Sequence, residues 1–371
     1  MSEQIFIGTR KGLFLCERNG SGWKHSEAIF PGVPVPMLLK DPRSNFLYAA
    51  AEHEHFGTKL HRSEDGGKTW KELESPVYPE KPDDAPLIVD PWRKAEVPWS
   101  LKKIWSLEAG GPDQPGVLWC GTIPGGLFRS PDHGETWELV RSLWDRPERA
   151  KWSGGGYDFP GLHSICIHPQ NADRIAVAIS CGGVWQSPDG GENWEQTAHG
   201  MSYDFMPEDQ GGADPESQDP HRMVQCEGSP DRFWIQHHCA IYRSDENGRN
   251  WKERKEATPS GFGFAVCVHP KDPDTAWFVP AQKDEERYPV DGKFIVTRTR
   301  DGGESFEVLN QGLPETLAYD LVYRHALAID ASGERLAMGS TTGSVWISEN
   351  QGDSWDHLTA HLPPVYCVRF G

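Results

Sequence analysis

Basic side chains are scarce in this sequence. Its 371 residues include 37 Lys and Arg against 55 Asp and Glu, a formal net charge of -18. Nucleic acid and anionic membranes attract positively charged surfaces, so we expect neither as a partner. Apolar runs stay well below the roughly 18 residues of a membrane-spanning helix. Residues 1–16 lack the charged and apolar segments of a signal peptide, which predicts a cytoplasmic protein.

Paired cysteines are also missing. The eight cysteines are scattered without a Cys-x-x-Cys pair, and most lie in apolar, strand-like runs. This pattern predicts buried free thiols and argues against a disulfide framework or a zinc finger. Turn-forming residues, in contrast, are abundant. The 39 Gly, 30 Pro and 16 Trp are typical of an aromatic-rich β fold with many short strands.

One short phrase recurs along the chain, as in residues 63–70, where it reads Ser-Glu-Asp-Gly-Gly-Lys-Thr-Trp. Its copies, of which the first (residues 18–23) is degenerate, close on Trp23, Trp70, Trp137, Trp194, Trp251, Phe306 and Trp355. The phrase resembles the Asp-box, or BNR, repeat of sialidase-like β-propellers. In such a turn Asp accepts backbone N–H bonds and Gly adopts positive φ. The resemblance implies a structural motif and not a catalytic one.

The surroundings of each copy predict the fold. Apolar runs flank the phrase, and two more strands precede it, giving strands A to D with the phrase in the C–D hairpin. Seven such units predict an all-β, seven-bladed β-propeller with four-stranded antiparallel blades. The chain begins with a B-type strand at residues 4–8 and ends with an A-type strand at 365–370. We therefore expect the C-terminal strand to join blade one and close the ring.

The same pattern predicts one β-propeller domain over residues 1–371. Three long loops interrupt it, at 74–103, 198–221 and 280–293. Their aromatic and Met content favours packed loops over disordered ones.

Histidines concentrate on one predicted face. The D–A and B–C connections of a propeller share a face, and seven of the 15 histidines fall on it: His53, His55, His163, His221, His237, His238 and His325. Imidazole is the commonest metal ligand, so we predict that they hold a divalent transition metal, Zn, Cu, Mn or Fe. Because strand neighbours alternate in direction, only half of each adjacent pair is expected to face the channel. The alternative is that these histidines bond loop carbonyls or line a wet channel.

Other polar residues complete the candidate site. As catalytic residues we select Asp219, Arg222, Arg324 and Glu54. Carboxylates can orient metal-bound imidazoles, and arginines, including Arg287, suit a substrate carboxylate or pair with neighbouring acids. Four aromatic residues form a predicted wall or pack in the core: Trp105, Tyr157, Tyr203 and Tyr319.

Three functions remain open. We favour a small-molecule enzyme, a hydrolase, lyase or oxidase, with a His-lined and metal-binding pocket at the channel mouth. The Asp-box resemblance instead implies a glycoside hydrolase acting on a glycan. Against it, the Arg-Ile-Pro motif of sialidases is absent, sialidases have six blades, and xyloglucanase-type enzymes carry two propellers. The third alternative is a non-enzymatic scaffold, as in photosystem-assembly propellers. The oligomeric state stays open.

Overall fold

The computed structural model describes residues 2–20 and 22–371. In these ranges the chain forms seven four-stranded antiparallel sheets, the blades of an all-β, seven-bladed propeller, which confirms the predicted fold class. The chain divides into two compact units. Unit 1 comprises Met1–Lys40, Val224–Asn247 and Trp251–Gly371, and unit 2 comprises Asp41–Met223 and Gly248–Asn250. The single domain over 1–371 stays a prediction.

The first four blades follow one another along the chain. Blade 1 contains β1 (Gln4–Thr9), β2 (Gly12–Asn19) and β3 (Gly22–His25). Blade 2 contains β4 (Met37–Lys40), β5 (Leu47–Glu52), β6 (Thr58–Ser63) and β7 (Lys71–Leu73). Blade 3 contains β8 (Lys103–Ala109), β9 (Leu118–Ile123), β10 (Leu127–Ser130) and β11 (Glu138–Leu139). Blade 4 contains β12 (Leu162–Ile167), β13 (Ile175–Ile179), β14 (Gly183–Ser187) and β15 (Glu195–Gln196).

The remaining blades repeat this order. Blade 5 contains β16 (Pro220–Gln225), β17 (Phe233–His237), β18 (Ile241–Ser244) and β19 (Lys252–Glu253). Blade 6 contains β20 (Gly263–Val268), β21 (Ala276–Pro280), β22 (Val296–Thr299) and β23 (Glu307–Leu309). Blade 7 contains β24 (Leu327–Ile329), β25 (Leu336–Gly339), β26 (Val345–Ser348) and β27 (Asp356–Thr359). The connections hold a short helix, α1 (Arg141–Trp144), and 3-10 turns at Glu54–Phe56, Pro147–Lys151, Glu208–Gln210, Val290–Gly292 and Arg324–Ala326.

Burial explains the strand sequences. Every residue of the B strands β13, β17 and β21 is buried, and these strands are continuous runs of mostly apolar residues. The D strands β15 and β19 are two residues long, charged or polar, and largely exposed. Short charged edge strands discourage pairing with another chain.

The last strand, β28 (Val365–Phe370), completes blade 1. It pairs antiparallel with β1, with Val368 opposite Ile7 and Phe370 opposite Ile5. Val368 and Ile7 are fully buried and belong to one apolar cluster of unit 1. The predicted closure by the C-terminal strand is therefore confirmed.

The repeated phrase forms one hydrogen-bonded turn. Ser63 Oγ donates to Asp65 Oδ1 at 2.8 Å and accepts the N–H of Gly67 at 2.8 Å. Asp65 Oδ1 accepts the N–H of Thr69 at 2.9 Å, and its Oδ2 accepts the Thr69 hydroxyl at 2.6 Å. Further copies of this turn centre on Asp132, Asp189, Asp301 and Asn350. Each turn thus holds its hairpin through bonds between residues close in sequence.

We expect Asp301→Ala to lower the free energy of unfolding at pH 7 by about 1–2 kcal/mol, the usual effect of losing a side-chain cap. Hydrogen bonds from Ser305, then from other turn groups, lower the pKa of Asp301 to about 2. A lowered pKa means that this stabilisation is complete above the unfolded-state pKa, about 3.9, and is lost as pH falls through about 2. Urea unfolding of wild type and variant between pH 7 and 2 measures both effects.

Glu304→Ala provides the control in the same turn. Its exposed carboxylate pairs with Arg254 at 3.1 Å, so we expect a change within about 0.5 kcal/mol. Equal losses in the two variants would contradict the assigned role of the Asp301 carboxylate.

The eight cysteines are free thiols, as predicted. Five of them are buried, namely Cys16, Cys120, Cys226, Cys267 and Cys367. Burial raises the pKa of Cys16 to about 11, so this thiol stays protonated at neutral pH. Within the described ranges, no helix has the length and apolar character needed to cross a membrane.

Candidate functional site

Unit 2 contains a buried acid–imidazole pair at the start of β16. Asp219 Oδ1 accepts hydrogen bonds from Ser180 Oγ at 3.1 Å and from the N–H of Cys181 at 3.2 Å. Its Oδ2 lies 3.5 Å from His221 Nε2, and both side chains are nearly inaccessible to water. The two donors stabilise the ionised carboxylate. Asp219 can therefore orient the His221 ring.

The glycine-rich segment 153–157 packs against this carboxylate. A Cβ on Gly155 would lie 2.5 Å from Ser180 Oγ and 2.8 Å from Asp219 Oδ2, so a larger residue does not fit without displacing them. The N–H of Gly156 donates to Ser180 Oγ at 3.3 Å. Burial, followed by the charge of Asp219, raises the pKa of Cys181. The Cys181 thiol is therefore neutral beside the carboxylate and is poorly suited to act as a nucleophile.

A row of rings lies on the same unit. The Trp105 ring meets Tyr157 edge to face at 5.0 Å and His163 at 5.4 Å between centroids. His163 is fully buried and its Nδ1 lies 2.9 Å from Ser164 Oγ. Tyr157, in contrast, keeps 40% of its surface exposed. Tyr157 is thus the ring of this row that a ligand can reach.

A charged pair borders Tyr157. Lys103 Nζ lies 2.6 Å from Glu52 Oε1 and 5.0 Å from the centroid of the Tyr157 ring. Burial acts to lower the pKa of Lys103, but Tyr157 and Glu52 together outweigh it and raise that pKa. Lys103 is therefore charged at neutral pH and holds the Glu52 carboxylate in place.

An exposed tryptophan is hydrogen-bonded to the segment 153–157, which contains Tyr157. Asp90 is buried, and it accepts the N–H of Trp92 at 3.0 Å and the N–H of Gly154 at 2.7 Å. The indole Nε1 of Trp92 donates to Ser153 Oγ at 3.2 Å, while 70% of the residue remains exposed. These bonds attach the 74–103 loop to the segment 153–157. We call Trp92 and Tyr157 the aromatic platform.

Arg222 bonds to the backbone of His163 and to the side chain of the next residue. Its Nη1 donates to the carbonyl oxygen of His163 at 3.2 Å and to Ser164 Oγ at 3.3 Å. Arg222 thus joins the starts of two A strands, β12 and β16. This geometry fits a residue that positions the strands as well as one that binds substrate.

The structure separates the three residues that follow β5. His53 is half-buried and its ring lies 6.1 Å from that of His61. Glu54 and His55 are exposed on the 3-10 turn that follows, and Glu54 has a positive φ of 33°. The metal and catalytic roles predicted for them remain predictions.

Unit 1 contains the other predicted residues. His237 is fully buried, its Nδ1 accepts the N–H of Cys239 at 3.2 Å, and its ring contacts Tyr242. His238 Nε2 lies 3.8 Å from Asp284 Oδ2. The two neighbours therefore occupy different environments.

Arg324 and His325 are buried on the 3-10 turn before β24. His325 Nδ1 lies 3.3 Å from Arg369 Nη2, and its carbonyl oxygen accepts Arg369 Nη1 at 3.4 Å. The guanidinium carbon of Arg324 lies 5.9 Å from the centroid of the Phe264 ring. Asp320 accepts hydrogen bonds from the hydroxyls of Ser340 and Thr342.

Sequence reasoning did not select Trp92, Asp90, Glu52 or Lys103. The sequence marks these residues only weakly. Asp90 and Trp92 belong to an Asp-Pro-Trp-Arg string at residues 90–93 within a Pro-rich loop, and Glu52 and Lys103 are charged residues at the ends of two strands. The partners that give them a role lie far away in the sequence.

No protein-family model matches the chain. It is 25% identical over 292 residues to a probable oligoxyloglucan-reducing end-specific xyloglucanase of Neosartorya fischeri. It is 22% identical over 294 residues to an oligoxyloglucan-reducing end-specific xyloglucanase of Emericella nidulans. Each match includes 71% of this chain and 33% of the relative, so the chain spans about a third of the length of these curated relatives.

Solved structures show the same architecture. The GH74 xyloglucanase from Xanthomonas campestris aligns with a TM-score of 0.65 and 19% identity, covering 96% of this chain and 52% of that enzyme. A functionally unknown protein from Desulfotomaculum acetoxidans aligns with a TM-score of 0.58 and 8% identity, covering 100% of this chain and 99% of that protein. The structure of YCF48 bound to D1 peptide aligns with a TM-score of 0.52 and 14% identity, covering 95% of this chain and 88% of that protein. The chain is thus a seven-bladed β-propeller that resembles those of GH74 xyloglucanases.

Proposed function

We propose that this chain is a glycoside hydrolase that acts on a glycan and binds it in unit 2. The exposed Trp92 is the observation that carries this proposal. Its backbone and indole N–H are fixed by Asp90 and Ser153, while most of its surface faces solvent. An aromatic ring held rigid yet exposed is suited to stacking against the apolar face of a sugar. The names of the two xyloglucanase relatives also specify a glycan as the substrate.

Polar groups beside the aromatic platform suit sugar hydroxyls. Glu52 and Lys103 form a fixed pair next to Tyr157, and Arg93 pairs with Asp158 at 2.8 Å beside Trp92. Carboxylates accept hydrogen bonds and cations donate them. Each pair can therefore accept a hydrogen bond from a sugar hydroxyl and donate one to it. A few oriented polar groups around apolar rings are typical of ligand sites.

The acid–imidazole pair is our proposed acid–base group. Hydrolysis of a glycosidic bond requires proton transfer to the leaving oxygen and from the attacking water. The Asp219 carboxylate is held by Ser180 and Cys181, and it faces His221 Nε2. We assign Asp219 as the base that accepts the proton of the attacking water, and His221 in its protonated form as the acid that donates a proton to the leaving oxygen.

A metal-assisted form of this hydrolysis is the second candidate. A carboxylate oxygen and an imidazole nitrogen 3.5 Å apart are both atoms that bind divalent transition metals. A bound cation would activate water for the same reaction.

Trp92→Ala tests the glycan proposal. We expect wild type to bind xyloglucan oligosaccharides, and the variant to bind them about 10- to 100-fold more weakly, since one lost stacking contact is worth about 1.4–2.8 kcal/mol. Isothermal titration calorimetry measures the affinities, and release of reducing sugar measures hydrolysis over a wider panel of glycans.

Phe205→Ala is the matched control. Phe205 is another exposed aromatic residue of unit 2, 62% exposed and packed against Tyr203. We expect its replacement to leave oligosaccharide affinity within twofold of wild type. Absence of binding and hydrolysis across the panel would refute the proposal, and equal losses in the two variants would refute the role of Trp92.

A further inference from the structure

We propose that unit 1 has a separate binding site for an organic carboxylate at the ring of Phe264. Two guanidinium groups reach this ring. The guanidinium carbon of Arg287 lies 5.6 Å from the ring centroid and that of Arg324 lies 5.9 Å from it. Arginine is well shaped to hold a carboxylate, because its planar N–H groups bond both oxygens at once.

The ring lies in apolar surroundings. Phe264 is 2% exposed, and its ring is 4.7 Å from that of Tyr323 and 5.3 Å from that of Phe262. The Arg324 side chain is buried beside it. Charges attract more strongly in such surroundings than in water, so an anion that reaches these guanidinium groups gains more than it would at the surface.

The backbone at Arg324 is strained. Its φ is +21°, a conformation that residues other than glycine rarely adopt. Such strain persists only where surrounding structure enforces it, and it concentrates at functional positions. The side chain on this strained backbone is the buried guanidinium that lies 5.9 Å from the Phe264 ring.

Arg287 forms the solvent side of the site. Its Nε donates to the carbonyl oxygen of Asp284 at 3.0 Å, and its guanidinium pairs with the Asp284 carboxylate. About 41% of the Arg287 side chain remains exposed. The adjacent Tyr288 ring lies 5.9 Å from the exposed ring of Tyr319. Arg287 is thus fixed in position and accessible to a ligand.

This inference does not depend on the proposed glycosidase. The carboxylate site uses residues of unit 1 alone, and the aromatic platform uses residues of unit 2 alone. Loss of Trp92 is therefore expected to leave carboxylate binding unchanged, and the two proposals fail independently.

Glucuronate and glucose, which differ by a carboxylate, are the probes. By isothermal titration calorimetry we expect glucuronate to bind at least tenfold more tightly than glucose. Arg287→Gln is expected to weaken glucuronate binding at least tenfold, and Arg287→Lys to weaken it less, because Lys keeps the charge and loses the paired geometry.

Arg300→Gln is the matched control. It removes the same charge from an exposed arginine of unit 1 that lies 3.9 Å from Glu307, so we expect a change below twofold. Equal binding of glucuronate and glucose, or equal effects of the two glutamine variants, would overturn the site. Arg287 is the test residue because it is partly exposed, whereas replacing the buried Arg324 risks unfolding the chain.

Discussion

Val368→Asp is expected to destabilise the protein severely and to lower its unfolding temperature. Val368 is fully buried opposite Ile7, in the strand pair that completes blade 1. A buried carboxylate without a partner costs several kcal/mol. We expect a loss of about 4 kcal/mol or more, a large part of the 5–15 kcal/mol that stabilises a typical protein. Circular dichroism during thermal unfolding measures it.

Val308→Asp is the matched control for this prediction. Val308 lies on β23 in the same unit, and 49% of it is exposed. The substitution introduces the same charge into a protein whose net charge is already -18, so global repulsion is equal in the two variants. We expect a loss below about 1 kcal/mol. Similar unfolding temperatures for both variants would show that closure by β28 contributes little.

The fold could be predicted because its signals are local. The turn at residues 63–70 depends on bonds from Ser63 and Asp65 to groups no more than four residues away. The number of copies of this local pattern in the sequence therefore gives the number of blades. The unpaired strands at the two ends of the chain then determined how blade 1 is completed.

The aromatic platform could not be predicted because its contacts are not local. Asp90 fixes Trp92 only because it also accepts the N–H of Gly154, 64 residues further along the chain. In the sequence, Trp92 is one aromatic residue in a long Pro-rich loop. Nothing there indicates that its indole N–H donates a hydrogen bond to Ser153. The attachment of Trp92 to the segment 153–157 depends on that long-range bond.

The end of β5 shows how the last residue of a strand decides which of two acids can take part in a site. Glu54, which we predicted as a catalytic residue, lies between His53 and His55 in the sequence. The strand ends at Glu52, and the next three residues after His53 turn into solvent. Glu52 is the carboxylate that pairs with Lys103 and borders Tyr157. Hydropathy does not distinguish these two acids, whereas the strand register does.

Asp219→Asn has the largest expected effect on the proposed activity. We expect glycan hydrolysis to fall about 100-fold or more, the usual contribution of an acid–base group, with the unfolding temperature nearly unchanged. The amide oxygen can still accept the bonds that Ser180 and Cys181 donate, so the substitution removes charge and basicity but keeps the local structure. Rates of reducing-sugar release at saturating substrate measure the effect.

Asp90→Asn separates catalysis from binding. Asp90 is also a buried carboxylate of unit 2, but it accepts backbone N–H groups that fix Trp92, and it has no assigned part in the chemistry. An amide group facing the N–H of Gly154 would loosen this attachment. We expect KM to rise while kcat changes little, the reverse of the Asp219→Asn result. A fall in kcat of the same size in both variants would contradict the assignment of Asp219.

Elemental analysis of the same preparations decides between the two forms of the hydrolysis. If a metal is required, wild type contains a stoichiometric divalent ion, and both Asp219→Asn and His221→Ala lose it. If Asp219 acts as a proton acceptor without metal, wild type keeps its activity after chelation and only the variants are impaired. The 3.5 Å separation of Asp219 Oδ2 and His221 Nε2 fits either chemistry, because the same two atoms can share a proton or a cation. Activity that resists chelation in a metal-free protein would therefore assign the shared species as a proton.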